Sequence, residues 1–240
     1  MSSNVNVKGY LDTINQPWGQ LFYKLVWHHL EYKGKRILDY GSGFGLTSNH
    51  LAQDNDVIAI EPNEEMLKYR YCLNEYTQII GGIEKLKDIP NRSIDIIVCH
   101  NVMEYIDNRK ELINEFIRVL DPNGFISIVK HNKVGKIMQK VVLEYKVDEA
   151  IELINNGKVK SVNFGLINEY DNSELEIYFE GKLEIDKIFG IRTFYALQIN
   201  DLKSDPNWIS NMYTLECLVE DKKEFRDIAF FHHIILKHKI

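Results

Sequence analysis

Apolar residues in the first half of the chain fall in short β-rich runs that alternate with runs at helical spacing, the pattern of successive βαβ units. It predicts strands over Arg36–Tyr40, Asp56–Ile60, Thr77–Ile80, Ile94–His100 and Gly124–Lys130, with helices near Leu46–Gln53, Glu64–Asn74 and Arg109–Leu120. An α/β, Rossmann-like fold with a mostly parallel sheet follows. Right-handed crossovers bring the strand C-termini to one edge, where a ligand crevice is expected. A helix over Trp18–Leu30 precedes the first strand. Beyond Lys130 the pattern gives helices near Val134–Tyr145 and Asp148–Asn155, then a polar connection through Asn168-Glu169-Tyr170-Asp171. The last third reads as a helix over Asn172–Phe179, a strand over Leu183–Thr193, a helix over Asn207–Val219 and a strand over Phe230–Lys237, which suits a sheet ending in an antiparallel pair. Residues 1–240 are read as one domain, with 1–34 as a helical cap and 133–182 as a helical insertion on the substrate side.

The segment Ile37-Leu38-Asp39-Tyr40-Gly41-Ser42-Gly43-Phe44-Gly45 carries the candidate chemistry: a strand runs into a glycine turn and then a helix. Glycine lets the backbone turn sharply and a ligand come closer than a Cβ permits. Twenty residues beyond Gly41, Glu61 ends the second strand, where a carboxylate accepts hydrogen bonds from ribose hydroxyls. The turn is one residue shorter than the dinucleotide pattern G-x-G-x-x-G, because its third glycine is Gly45 and Leu46 follows. That form suits a ligand without pyrophosphate. Asp39 before the turn would repel phosphate and pair with an ammonium, so the motif favours a nucleoside that bears an amino acid. On the residues alone, Gly81-Gly82 reads equally well as a plain loop, His100 as a strand-end residue held by backbone groups, and Met66 as core filling.

Composition narrows the partners. With 45% apolar residues and a net charge of -6, the chain has material for a core but no overall basic surface for gripping nucleic acid. The local clusters Lys133, Lys136, Lys140 and Lys158, Lys160 read as solvated faces. No apolar run approaches the roughly 20 residues of a membrane span, and the polar start lacks a signal-peptide pattern, so a cytoplasmic protein without a membrane partner is expected. Cys72, Cys99 and Cys217 are too scattered for a disulfide framework and read as reduced, mostly buried thiols. The pairs His28-His29 and His232-His233 have adjacent, divergent side chains, and no metal site is expected.

The chain resembles the class I S-adenosylmethionine-dependent methyltransferases. Asp39-Tyr40-Gly41-Ser42-Gly43-Phe44-Gly45 is similar to that family's first motif, Glu61-Pro62-Asn63 to its second, and Arg118-Val119-Leu120-Asp121-Pro122-Asn123-Gly124-Phe125 to its segment before strand five. The resemblance implies a seven-stranded sheet with one antiparallel strand and helices on both faces. It implies S-adenosyl-L-methionine as cofactor and S-adenosyl-L-homocysteine as product. Gly41 and Gly43 would lie beneath the methionine part of the cofactor, Glu61 on its ribose, and Gly82, Ile83 and Glu84 around its adenine. His100 and Asn101 would line the pocket, and Asp39, Ser42, Pro62 and Met66 complete the implied set.

A closer similarity joins Gly19-Gln20-Leu21, His100 to Tyr105, His131 to Met138 and Gly190-Ile191-Arg192-Thr193-Phe194 to bacterial enzymes that methylate the carboxyl group of 5-carboxymethoxyuridine at the tRNA wobble position. It implies that Arg192 holds the acceptor carboxylate through its guanidinium fork, with His131 and Asn132 beside the reacting group. The chain departs from that family at Phe22, where an arginine facing the cofactor carboxylate is expected; Lys24 lies two positions on. The stretch around Asn168–Asp171 also lacks the proline-rich, basic form of those enzymes. The acceptor therefore stays open between tRNA and a small-molecule acid, and a catalytically silent module that only binds the cofactor is the reading from a different class.

Overall fold

A computed structural model describes residues 6–156, 159–161, 165–168 and 170–239. In chain order these form α1 (Val7–Ile14), α2 (Pro17–His28), β1 (Arg36–Tyr40), α3 (Leu46–Leu51), β2 (Asp56–Glu61), α4 (Glu64–Leu67), β3 (Thr77–Ile80), β4 (Ile94–His100), α5 (Arg109–Val119) and β5 (Leu120–His131). They continue as α6 (Lys133–Val142), α7 (Val147–Asn156), a hairpin of β6 (Val159–Ser161) and β7 (Gly165–Ile167), α8 (Asn172–Phe179), β8 (Leu183–Ile191), α9 (Trp208–Val219), α10 (Lys223–Arg226) and β9 (Phe231–His238).

Seven strands make one sheet in the order β3-β2-β1-β4-β5-β9-β8. The pairs β1–β2, β1–β4, β2–β3 and β4–β5 are parallel. The predicted seven-stranded, mostly parallel sheet is thus observed. Its central strands read as near-continuous apolar runs because both faces are covered: Ile96, Ile97, Val98 and Cys99 of β4 are all buried.

The described residues divide into two compact units. One holds the glycine turn and takes in the described residues of 30–129, 170–187 and 234–239; the other holds Arg192 and takes in those of 6–29, 130–168 and 188–233.

Local chemistry sets the element ends. Pro17 starts α2 at the position where a missing N–H costs nothing. Asp171 and Glu174 close a reciprocal capping box at α8. Three boundaries differ from the sequence expectation for definite reasons. The helix predicted over Glu64–Asn74 stops at Leu67, because the chain turns to bond elsewhere: the Tyr71 N–H donates to the Phe44 carbonyl (2.8 Å), and Asn74 donates its N–H and its side-chain amide to Asn49. Strand β5 begins at Leu120 rather than Gly124, since Leu120 already pairs with Ile94 before a register shift. Strand β8 ends at Ile191 rather than Thr193, because Arg192 takes a left-handed conformation (φ 68°) that a ladder does not accommodate. Helix α1 and the β6–β7 hairpin carry too short a pattern to be read from sequence.

Candidate active site

In the glycine-turn unit, β1 delivers its C-terminus into residues 41–45. Gly41 (φ 76°) and Gly43 (φ 57°) both have left-handed backbones. A Cβ on Gly41 would sit 2.3 Å from the Val102 side chain, so the turn packs directly on the loop after β4. A Cβ on Gly43 would meet only Met66 Sδ, at 3.8 Å, which leaves room over the turn for a ligand. The Gly41 and Ser42 N–H groups donate to the Ile60 carbonyl and hold the turn against the end of β2.

Glu61 ties this corner together. One carboxylate oxygen accepts the Gly43 N–H and the other the Asn63 N–H, each at 2.8 Å. Burial raises its pKa, and the two backbone donors oppose that shift. Each oxygen keeps a lone pair, which is what two ribose hydroxyls require. Asp39 is 3% exposed and accepts the Ser48 hydroxyl at 2.6 Å. Burial, with Ser48 opposing and the Glu61 charge adding, pushes its pKa up to about 6. The aspartate expected to meet an ammonium is thus also the brace between β1 and α3, and Ser48 is a partner that the motif reading missed.

Around the turn, Pro62 is half-buried and Met66 buried. Gly82 donates its N–H to the Glu84 carboxylate (2.9 Å) at the start of the short turn Ile83–Asp88, and this contact lowers the exposed Glu84 pKa. His100 Nε2 lies 2.8 Å from the Ser127 hydroxyl. Asn101 has a left-handed backbone (φ 56°), and its N–H donates to the Val129 carbonyl. The Ser42 Oγ and the Asn101 Oδ1 are buried without a hydrogen-bond partner among the described residues. Buried polar atoms are rarely left unmatched. Two such oxygens in one unit with an open glycine turn and a fixed carboxylate fit a ligand rich in hydroxyl and amino groups.

In the Arg192 unit, the Asn132 amide donates to the Asp227 and Ala229 carbonyls (2.9 and 2.8 Å), and its oxygen caps α6 through the Val134 N–H. Both amide hydrogens are bonded to backbone carbonyls, which hold Asn132 at the end of β5. His131 packs against Phe231, with ring centroids 4.6 Å apart. The Arg192 guanidinium lies over the rings of Phe230 (4.8 Å) and Tyr195 (5.4 Å), and its Nε is buried without a partner among the described residues. Phe22 packs on Phe231 (5.1 Å), while the Lys24 ammonium lies over Tyr213 (5.3 Å).

Other side-chain expectations are refined. Cys99 is buried, but Cys72 is exposed and Cys217 intermediate; all three are free. Lys136 is 6% exposed and Lys140 pairs with Glu144 and Glu149, so that cluster is not a free basic face; Lys158 lies outside the described residues. In the nominally polar connection, Tyr170 is buried and Arg109 stacks over its ring, while Glu169 lies outside the described residues. Chain folding joins what sequence separated: His29 Nδ1 lies 2.8 Å from His233 Nδ1, and His29 Nε2 lies 3.0 Å from the Glu220 carboxylate. Ligand-type atoms of His28, Cys217 and Glu220 lie within 4.8 Å of one another. Among the described residues no helix is long and apolar enough to cross a membrane.

Residues 38–128 match the family described as methyltransferase domain. A ubiquinone biosynthesis O-methyltransferase of Rickettsia canadensis is 29% identical over 130 residues, which is 51% of this chain and 54% of that protein. The chain spans about half the length of the curated relatives it matches. Among solved structures, an S-adenosylmethionine-dependent methyltransferase from Mesorhizobium loti superposes with a TM-score of 0.61 at 14% identity, covering 93% of this chain and all of that one (100%). A chain from a complex containing the Haloferax volcanii Trm112 methyltransferase activator gives 0.63 at 13% identity, covering 98% and 93%. The fold is that of class I methyltransferases. Residues 38–128, which carry the glycine turn, match a methyltransferase domain, and the fold is one that solved S-adenosylmethionine-dependent methyltransferases share.

Proposed function

We propose that the whole chain is an S-adenosylmethionine-dependent methyltransferase whose acceptor carries a carboxylate, with 5-carboxymethoxyuridine at the tRNA wobble position as the favoured acceptor. The observation that carries the cofactor half is Glu61, fixed by two backbone N–H groups beside a glycine turn that has room for a ligand. In this reading Glu61 takes the ribose hydroxyls, Gly41 and Gly43 pass beneath the amino-acid arm, and Ser42 and Asn101 supply the two unmatched oxygens to its polar groups. Pro62 and Met66 bound the same corner, Gly82, Ile83 and Glu84 surround the base, and His100 lines the pocket. Asp39 braces the turn and sets its negative potential.

S-adenosylmethionine supplies a methyl group on a sulfonium sulfur, which departs as a neutral thioether when a nucleophile attacks in line. The task of the protein is therefore to hold and align. An ionised carboxylate needs no base at neutral pH, and Arg192 is the group in this chain suited to orient one. Charge balances in this scheme: sulfonium and carboxylate become thioether and ester, and the neutral ester no longer attracts a guanidinium, which favours its release. Segments 1–34 and 133–182 are assigned to the acceptor side.

A second reading has its own support. Several curated relatives, matched over about half of their length, are named ubiquinone biosynthesis O-methyltransferases. A small-molecule hydroxyl acceptor would require a base, and His131 is the candidate.

Incubating the protein with methyl-labelled S-adenosylmethionine and either tRNA carrying 5-carboxymethoxyuridine or a panel of small carboxylic acids and phenols separates these readings. Label in a base-labile ester, lost in Arg192→Ala, is the expected result. Label only in phenols would replace the carboxylate reading with the hydroxyl one, and cofactor binding without transfer to any acceptor would leave a silent module.

A further inference from the structure

Lys203 belongs to no motif and lies in a short turn, Asn200–Ser204. It is nevertheless 3% exposed. Its ammonium has three donors, and the structure satisfies one, through Asn200 Oδ1 at 3.0 Å; the ring of Trp18 lies 5.3 Å away. Among the described residues no carboxylate lies within ion-pairing distance of Lys203 or Arg192. Burial first, and then the Arg192 guanidinium, push the Lys203 pKa down to about 8; burial also lowers the Arg192 pKa, against the opposing effects of Tyr195 and Glu216. Glu216, which feels Arg192, is already occupied. It is fully buried and accepts the N–H groups of Thr193 (2.8 Å), Phe194 (2.9 Å) and Tyr195 (3.3 Å).

Buried cations are ordinarily paired, and two that repel each other are costlier still. The same stretch holds further unmatched groups: Arg192 Nε, the Tyr195 hydroxyl and the Thr193 hydroxyl are all buried without partners among the described residues. Arg192 itself sits in a left-handed backbone, the kind of local strain that persists where a ligand site over-determines it. Glu216 is the carboxylate that acts on Arg192, and two buried cations against it leave a net positive charge that a further anion would balance.

We propose that Lys203 and Arg192 are the two arms of one anion site, lined by Trp18, Tyr195 and Phe230, which takes the terminal carboxylate of an acceptor whose adjoining part is flat and unsaturated. This rests on the methyltransferase reading for the identity of its occupant and deepens it by adding Lys203. A phosphodiester of a nucleic-acid backbone would have to bury both ester arms to reach a lysine so enclosed, whereas a terminal group need not. The flat portion would lie against the rings that already flank the two cations.

The test is calorimetric titration of the full chain with phenoxyacetate and, separately, inorganic phosphate, using wild type, Lys203→Met and Lys203→Arg, with S-adenosylhomocysteine as a control for the other unit. Saturable phenoxyacetate binding, weakened at least tenfold in Lys203→Met and largely kept in Lys203→Arg, with S-adenosylhomocysteine affinity unchanged in both, is the expected result. Equal phenoxyacetate affinity in wild type and Lys203→Met, or no binding to wild type, would overturn the site. Tighter binding of phosphate than of phenoxyacetate would overturn its assignment to a carboxylate. If Lys203→Met fails to fold, loss of phenoxyacetate binding in the charge-preserving Lys203→Arg would count against the site in its place. Phenoxyacetate binding by a wild-type chain that ignores S-adenosylhomocysteine would leave the anion site standing and remove the methyltransferase reading beneath it.

Discussion

Two buried sites, one in each unit, hold charge in opposite ways. In the glycine-turn unit the buried carboxylates Asp39 and Glu61 are satisfied close by, Asp39 by the Ser48 hydroxyl and Glu61 by the N–H groups of Gly43 and Asn63. In the Arg192 unit the buried cations Lys203 and Arg192 are short of partners among the described residues. The first arrangement is complete as a scaffold and keeps lone pairs to offer a ligand. The second is incomplete without an anion. On the proposed function, the cofactor meets a prefabricated corner, whereas recognition of the acceptor is concentrated in groups that are uncomfortable until the acceptor arrives.

Four substitutions would break or sharpen that contrast. The largest effect is expected at Gly41→Ala. A left-handed backbone and a Cβ placed 2.3 Å from Val102 should together cost about 3 kcal/mol. Urea denaturation would show it, and a loss below about 1 kcal/mol would mean that the turn is not packed as described.

Next comes Asp39. Its folded pKa of about 6 stands above its ordinary value of 3.8, so the folded chain binds more protons than the unfolded one between those pH values. Stability must therefore fall as pH rises through that window. Asp39→Asn removes the effect and should gain about 2–3 kcal/mol relative to wild type between pH 4 and pH 7. Parallel denaturation curves at the two pH values check it; a constant difference would show that Asp39 is not strained by burial.

Ser48→Ala strips the aspartate of its hydroxyl donor and should destabilise by about 1–2 kcal/mol at pH 7, with less effect at pH 4, where the carboxyl is protonated. The smallest effect is expected on the other side of the comparison. The Tyr195 hydroxyl is already buried and unmatched, so Tyr195→Phe should leave the melting temperature unchanged or raise it, by up to about 1 kcal/mol of stability. A clear loss of stability would mean that this hydroxyl has a partner in the free protein.

The same contrast explains what could be read from the sequence. The geometry of the glycine corner was legible because its parts are local: Asp39 through Gly45 and Glu61 lie at the ends of adjacent strands, and strand periodicity together with glycine spacing fixes both. The strand set was legible for the same reason, since buried strands announce themselves as apolar runs. Element ends set by distant bonds were not, as at Leu67, where Phe44 and Asn49 draw the chain out of its helix. Arg192 was reached only through a family resemblance, and nothing in the pattern around Arg192 foretold its left-handed backbone. Lys203 was invisible, because the ring of Trp18 and the charge of Arg192 that act on it lie elsewhere in the chain. The partners of Asn132 were equally hidden, since the carbonyls of Asp227 and Ala229 that its amide meets lie some hundred residues away.

The central claim is that the corner formed by Gly41, Gly43 and Glu61 holds S-adenosylmethionine, and isothermal titration of wild type and Glu61→Ala with S-adenosylhomocysteine tests it most directly, with NAD as the control. The account predicts one saturable site per chain in wild type, no response to NAD, and affinity reduced at least a hundredfold in a Glu61→Ala protein that remains folded. Undiminished binding in that variant, or none in wild type, would contradict it.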